Sequence, residues 1–342
     1  MKLYPWTRFA VLGPLHREYL LPVQGRSAFN VPGGEALYAA AAIAMWQPED
    51  ATVGLVARTG KDFPATWVED LARRGWRVEG IHRVSDISDS RRVRVYNARG
   101  QPMSSGWPHR FAERGIPYPK DLLDYEPPVV PSPSLSRPTP WTLRERDLPE
   151  WLSETRYAHF TPLDFITHNL LPPLLRQRGV TTLSLDPGPA YMRAPFRPHV
   201  RDMVSPLTIF QPSEEELRTL FGGQWEDLWN MAEEVSHWGV PVVVIKRGAQ
   251  GVWVYDGRGR RRWIVPAYQV GRFRDPTGAG SAFAGGFLVG WARTEDPLEA
   301  ALYGVVAASV AVETCGALSL LETLPGLLEG RLHLLREVVH RV

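Results

Sequence analysis

Residues 275–283 read Asp275-Pro276-Thr277-Gly278-Ala279-Gly280-Ser281-Ala282-Phe283, a glycine turn that runs directly into a small-residue helix. Glycines let the backbone come close to an anion, and the free N–H groups and dipole of a helix start favour negative charge there. The stretch therefore reads as a phosphate site, or as a tight turn that only starts a helix. Other glycine-loop chemistries fail on spacing. There is no G-x-x-x-x-G-K-[ST], and Phe283 breaks the dinucleotide pattern G-x-G-x-x-G. Ala279 and Phe283 flank Ser281 where a hydrolase nucleophile turn needs glycines. H-E-x-x-H and C-x-x-C are also missing from the sequence.

Outward from this turn, the chain alternates short apolar runs with amphipathic or alanine-rich segments. Expected strands are 9–13, 51–57, 157–160, 181–186, 207–210 and 242–245. Expected helices start at Gly33-Gly34 and end near Trp46, then cover 64–74, 170–177, a stretch from Ser213, 282–293 and 297–312. This alternation predicts a mainly parallel sheet between helices. Residues 252–255 and 262–265 flank Asp256-Gly257, a hairpin-turn pair, so an antiparallel edge is expected late in the sheet. Residues 90–98 alternate polar and apolar side chains, as a strand with one wet face does. Residues 101–149 include PPVVPSPSLSRPTP and read as a long surface loop.

With 342 residues, 44% of them hydrophobic, the chain can bury a large core. A formal charge of +2 gives no net field to recruit nucleic acid or an anionic membrane. The stretch 300–312 is too short to span a bilayer. Cys315 is the single cysteine, which excludes an intrachain disulfide or thiolate cluster and makes a reducing cytoplasm the expected location. The start, MKLYPWTRFAVLG, lacks the apolar core and cleavage site of a secretory signal.

The segment 275–287, DPTGAGSAFAGGF, resembles the signature of the ribokinase/PfkB carbohydrate kinases, D-T-x-G-A-G-D followed by a small-residue helix. The resemblance continues, in family order, through Gly33-Gly34, residues 59–63, Asp186-Pro187, 213–216, Lys246-Arg247-Gly248 with Gly251, and Gly316-Ala317. It implies one ribokinase-like three-layer α/β/α domain over 1–342, with a mainly parallel central sheet. A small β lid is expected over about 14–32 and 86–110, with a proline-rich surface insertion at about 101–149. ATP with Mg²⁺ and a small sugar, polyol or nucleoside are the implied ligands, with transfer of a phosphoryl group to a hydroxyl as the implied reaction. Lids of this family often pair between subunits, so a homodimer is a further expectation.

Residue by residue, the resemblance makes Gly278, Ala279 and Gly280 the anion hole. It places Asp275, Thr277, Lys246, Gly248 and Gly251 on the nucleotide side, and Gly33, Gly34, Glu35 and Tyr38 on the substrate side with Glu18 where the family tends to carry a hydroxyl-binding aspartate. Position 281, the family's proton-accepting aspartate, is Ser281, and Tyr38 replaces a common asparagine. A serine hydroxyl does not accept a proton at neutral pH unaided. Substitute bases are Asp275, Glu35 or Glu18, and the competing reading is a pseudokinase that binds nucleotide or sugar as a sensor. Glu18 also reads as an exposed lid residue, and Glu35 as an acid favoured at any helix start. Ser213 to Glu216 stands for the family's N-x-x-E, whose glutamate serves the metal region, but it is equally a plain capping box.

Overall fold

A computed structural model describes residues 8–46, 52–129 and 131–341. Residues 1–7, which hold most of the segment read for a secretory signal, Ala51 of the second expected strand, and the ends of the 1–342 domain assignment lie outside the described residues. In chain order the first elements are β1 (Phe9–Leu12), β2 (His16–Leu21), β3 (Ala28–Gly33), α1 (Glu35–Trp46), β4 (Val53–Gly60), α2 (Ala65–Arg73), β5 (Arg77–Val84), β6 (Arg91–Val95) and α3 (Trp107–Glu113). Then come β7 (Tyr157–Phe160), α4 (Phe165–Gln177), β8 (Thr182–Leu185), α5 (Arg197–Val204), β9 (Ile209–Phe210), α6 (Glu214–Phe221), α7 (Leu228–His237) and β10 (Val242–Lys246). The chain closes with β11 (Val252–Asp256), β12 (Arg261–Val265), α8 (Ala279–Thr294), α9 (Pro297–Glu313), α10 (Pro325–Val338) and β13 (His340–Arg341).

The main sheet has the order β13-β12-β11-β10-β9-β8-β7-β1-β4-β5. Neighbours run parallel from β10 to β5 and antiparallel from β10 to β13. Side-chain alternation makes the three layers explicit, because successive residues of a strand face opposite ways. Phe9, Val11, Val242 and Val244 pack into one core with α1, α8 and α9, whereas Ala10, Leu12, Val243 and Ile245 pack into the other with α4 to α7. This is the expected ribokinase-like α/β/α arrangement. The small sheet, ordered β3-β2-β6, stands apart from the main one. Asp62, at the end of β4, ties it down by accepting from the amide and hydroxyl of Ser90 and from Arg17 at 3.2 Å.

Several boundaries differ from the sequence reading. Helix α4 starts at Phe165 rather than near Leu170, because Asp164 caps it by accepting from the Thr167 amide, and Pro172 and Pro173 sit inside it. The late hairpin turns over four residues, not two: Asp256 pairs with Arg261, and its carboxylate accepts from the Arg258 amide and the Arg261 side chain. Helix α10 and strand β13 carried no recognised signal.

The proline-rich insertion is only partly a surface loop. Trp107 and Phe111 of α3 and the following Leu122 share a buried cluster with Tyr19, Leu21 and Val95 of the small sheet. Farther on, Leu143, Leu148, Trp151 and Leu152 enter the main core. Asp147 there accepts a bidentate pair of bonds from Arg58 of β4, at 3.0 and 3.1 Å, with both side chains buried. Aromatic and aliphatic anchors spaced among the prolines account for this docking, since each buried ring contributes far more than the prolines oppose.

Candidate active site

The parallel strands end at a common level, and the residues that follow them converge on the start of α8. Asp186 follows β8, Lys246 ends β10, and the hydrogen-bonded ladder keeps Leu12, Phe160, Leu185 and Phe210 in register beside them. A cleft of about 240 Å³ at this end is lined by Glu18, Glu35, Tyr38, Arg94, Tyr96, Asp186, Pro276, Thr277, Gly278, Gly280 and Ser281.

Gly278 caps α8 in the left-handed region at φ 74°. A β-carbon there would fall 2.1 Å from the Tyr38 ring, so both the turn and the close approach require glycine. The Ala279 amide donates to the Pro276 carbonyl at 3.2 Å, and Ala279 does not line the cleft. The amides of Gly280 and Ser281, in the first helical turn, have no intrahelical acceptor, the geometry of a helix start that favours an anion. Of the expected trio of Gly278, Ala279 and Gly280, the Ala279 amide is turned to the Pro276 carbonyl within the loop. Thr277 is held by the Asp275 carboxylate at its amide and by Tyr96 at its hydroxyl, at 2.9 Å each.

Glu18 of β2, which also lines the cleft, is 2% exposed. Its carboxylate accepts from the Gly34 amide and the Tyr38 hydroxyl, both at 3.1 Å. Gly33 makes room for it, since a β-carbon there would meet the Glu18 carboxyl at 2.1 Å. Burial raises the Glu18 pKa to about 7, against the pull of Arg94 and with the help of the Glu35 charge. Burial and the Glu18 charge push the Tyr38 phenol well above its usual range. Glu35 sits between Arg94 at 3.2 Å and His16 at 3.7 Å. The reading of Glu18 as an exposed lid residue is therefore corrected.

Lys246 donates to Asp186, and its ammonium lies 3.8 Å from where a Gly280 β-carbon would stand. Burial raises Asp186 to about 6 even with Lys246 beside it, and the Glu216 charge adds to the rise. Glu216 also closes the capping box, accepting from the Ser213 amide at 2.7 Å while the Ser213 hydroxyl accepts from the Glu216 amide. The capping-box reading of that motif is the one these contacts show. Gly248 and Gly251 lie outside the cleft on the turn after β10, with positive φ at both and open space beside Gly248. Asp275 lies behind the loop, fully buried, with Oδ2 unbonded. Asp186, Arg94 and Tyr96 were not among the expected site residues. For Asp186 the available signal was an acid directly after an apolar strand; Arg94 and Tyr96 reach the cleft only because β6 crosses above it.

A curated relative, cytidine kinase of Thermococcus kodakarensis, is 30% identical to this chain over 302 residues, covering 84% of the chain and 90% of the relative. Residues 174–324 match the family described as pfkB family carbohydrate kinase. The chain belongs to the ribokinase/PfkB family. As a member of it, the chain shares its fold with Arabidopsis thaliana ribokinase complexed with ribose and ATP, at a TM-score of 0.67 and 17% identity over 96% of this chain and 99% of the other. Fructokinase from Vibrio cholerae, in a fructose-, ADP- and calcium-bound form, gives a TM-score of 0.67 and 19% identity over 95% and 99%. Among the described residues of this family member, no helix is long and apolar enough to cross a membrane.

Proposed function

We propose that this kinase-family chain transfers the terminal phosphoryl group of ATP to a hydroxyl of a small sugar, polyol or nucleoside. The observation that carries the reading is that the free amides of Gly280 and Ser281 and the buried carboxylate of Glu18 line one cleft. The first set stabilises phosphoryl charge and the second receives the hydroxyl proton. A bond forms from the hydroxyl oxygen to the terminal phosphorus, the bond from that phosphorus to the bridging oxygen breaks, and ADP leaves with the electron pair. The proton passes to Glu18.

Glu18 suits this role better than the other candidate bases. Asp275 does not line the cleft, and Glu35 is paired with Arg94 at 3.2 Å. A carboxylate near pH 7 in its titration is matched to general-base work at neutral pH. Ser281, 6% exposed, then acts through its amide.

The residues present also fit Mg²⁺. No cluster of three or more metal-ligating side chains occurs among the described residues, but Mg²⁺ is commonly held by one or two carboxylates together with substrate phosphates and water. Asp186 and Glu216 are the residues that would hold it, and its chemistry there is to offset phosphate charge. Lys246 supplies a further fixed cation beside Gly280. The open turn at Gly248 is available to the nucleotide.

The test is ADP release by purified protein with Mg-ATP and a panel of sugars, polyols and nucleosides, with thermal stability recorded alongside. Turnover with a stabilising shift supports the reading. A shift without turnover for any acceptor removes it in favour of a sensor.

A further inference from the structure

Beside the phosphoryl cleft lies a second cavity of about 240 Å³, walled by residues 131–134, Arg137 and Thr139 of the proline-rich insertion together with His16, Arg92, Trp141, Asp164, Phe165 and Tyr191. It adjoins the first cleft through His16, whose ring meets Trp141 edge-on at 4.9 Å on one side and approaches the Glu35 carboxylate at 3.7 Å on the other. Three features define what it takes. The walls are largely rings, prolines and aliphatic carbons, which would leave the many hydroxyls of a sugar unbonded. The Arg92 guanidinium lies over the Trp141 ring, 5.3 Å from its centroid, donates one bond to the Arg91 carbonyl at 2.7 Å, and is attracted by the Glu35 and Asp89 carboxylates. The His16 Nδ1 is buried without a hydrogen-bond partner.

We infer that this cavity is the subsite for the base of a nucleoside, so that the insertion selects nucleosides over free sugars as the phosphoryl acceptor. The inference rests on the kinase reading above for the site of transfer and concerns the acceptor alone. A nucleobase is planar and mostly apolar on its faces, which the Trp141 and Arg92 surface accommodates by stacking. Its edge carries donors and acceptors for Arg92 and for the free nitrogen of His16. His16 remains uncharged, because burial and then Arg92 and Arg94 hold its pKa well below the usual value, so its ring offers one donor and one acceptor. The ribose would then lie toward Glu35 and Glu18, with its terminal hydroxyl nearest α8.

The experiment is calorimetric titration of the full chain with cytidine, uridine, adenosine, guanosine and ribose, without ATP, for wild type, Trp141→Ala and Arg92→Met. At least one nucleoside is expected to bind tenfold or more tightly than ribose. Trp141→Ala should weaken that nucleoside by about tenfold to a hundredfold, the range of lost base stacking, and leave ribose and ATP affinity unchanged. Arg92→Met, which retains the aliphatic stem, should weaken it as well and serves if Trp141→Ala does not fold. Equal affinity for ribose and all four nucleosides, or parallel loss of ribose and nucleoside in the variants, overturns the inference. Nucleoside binding lost in the variants without any phosphoryl transfer in wild type sustains the subsite and removes the kinase reading. Transfer to sugars with no nucleoside preference does the reverse.

Discussion

The Tyr38 ring lies across Gly278, so close that a β-carbon at 278 would be 2.1 Å from it, while the Tyr38 hydroxyl donates to Glu18 at 3.1 Å. One side chain thus spans from the glycine turn to the buried acid. It fixes the distance between the turn at Gly278 and the Glu18 carboxylate.

Replacing the acid should remove the chemistry without removing the cleft. Glu18→Gln is expected to lower kcat by about 10²–10⁴, the usual contribution of a positioned base, with ATP affinity retained. Ser281→Ala should cost less than about tenfold, since its amide persists. Introducing Ser281→Asp into the Glu18→Gln protein should recover most of the loss by restoring the family's base position. Steady-state ADP release for the three variants decides this, and full activity in Glu18→Gln would eliminate Glu18 as the base.

The same carboxyl predicts two opposite pH trends. Activity should rise as pH passes through about 7 and Glu18 ionises, and this limb should vanish from the pH profile of Glu18→Gln. Stability should move the other way. The folded pKa lies above the ordinary 4.5, so the folded state holds the proton more tightly; the contribution is complete below 4.5 and lost as pH rises through about 7. The span is about 3 kcal/mol, and urea unfolding at pH 5 and pH 8 should show it in wild type and not in Glu18→Gln.

Gly278→Ala meets two penalties, a left-handed φ of 74° and the Tyr38 ring. A loss of about 1–3 kcal/mol in stability is expected, and more where the ring cannot shift. The thermal stabilisation given by Mg-ATP should fall with it, because the Gly280 and Ser281 amides are aimed by this turn. Retention of the full nucleotide-dependent shift in a folded Gly278→Ala protein would detach the turn from phosphate binding.

The Arg58–Asp147 pair holds the far end of the insertion against β4. Asp147→Ala leaves Arg58 buried without its partner and should cost about 3–5 kcal/mol. Exchange of both residues for apolar ones should cost distinctly less than the sum of the single changes. Chemical denaturation of the double-mutant cycle measures the coupling, and additivity would refute it.

Sequence and structure divide along a physical line. The layer order was legible because strand and helix periodicities are local, and a buried parallel strand such as 242–245 is apolar throughout. The glycine turn into α8 was legible because DPTGAGS needs no distant residue to start a helix. The family resemblance supplied Glu18 and Tyr38 as positions, but whether Glu18 was solvated or buried depended on Gly33, Gly34 and Tyr38 closing around it. Helix α4 was read late because prolines at 172 and 173 mask a start that Asp164 caps.

By itself, the sequence determined an α/β chain with a glycine turn at 278–281 that opens a helix and no aspartate at position 281. Only the tertiary structure decided which carboxylate shares a cleft with that turn, that Asp186 and Lys246 pair beside it, and that the insertion closes a second cavity. These depend on side chains far apart in sequence, whose meeting is set by sheet order and burial rather than by any local pattern.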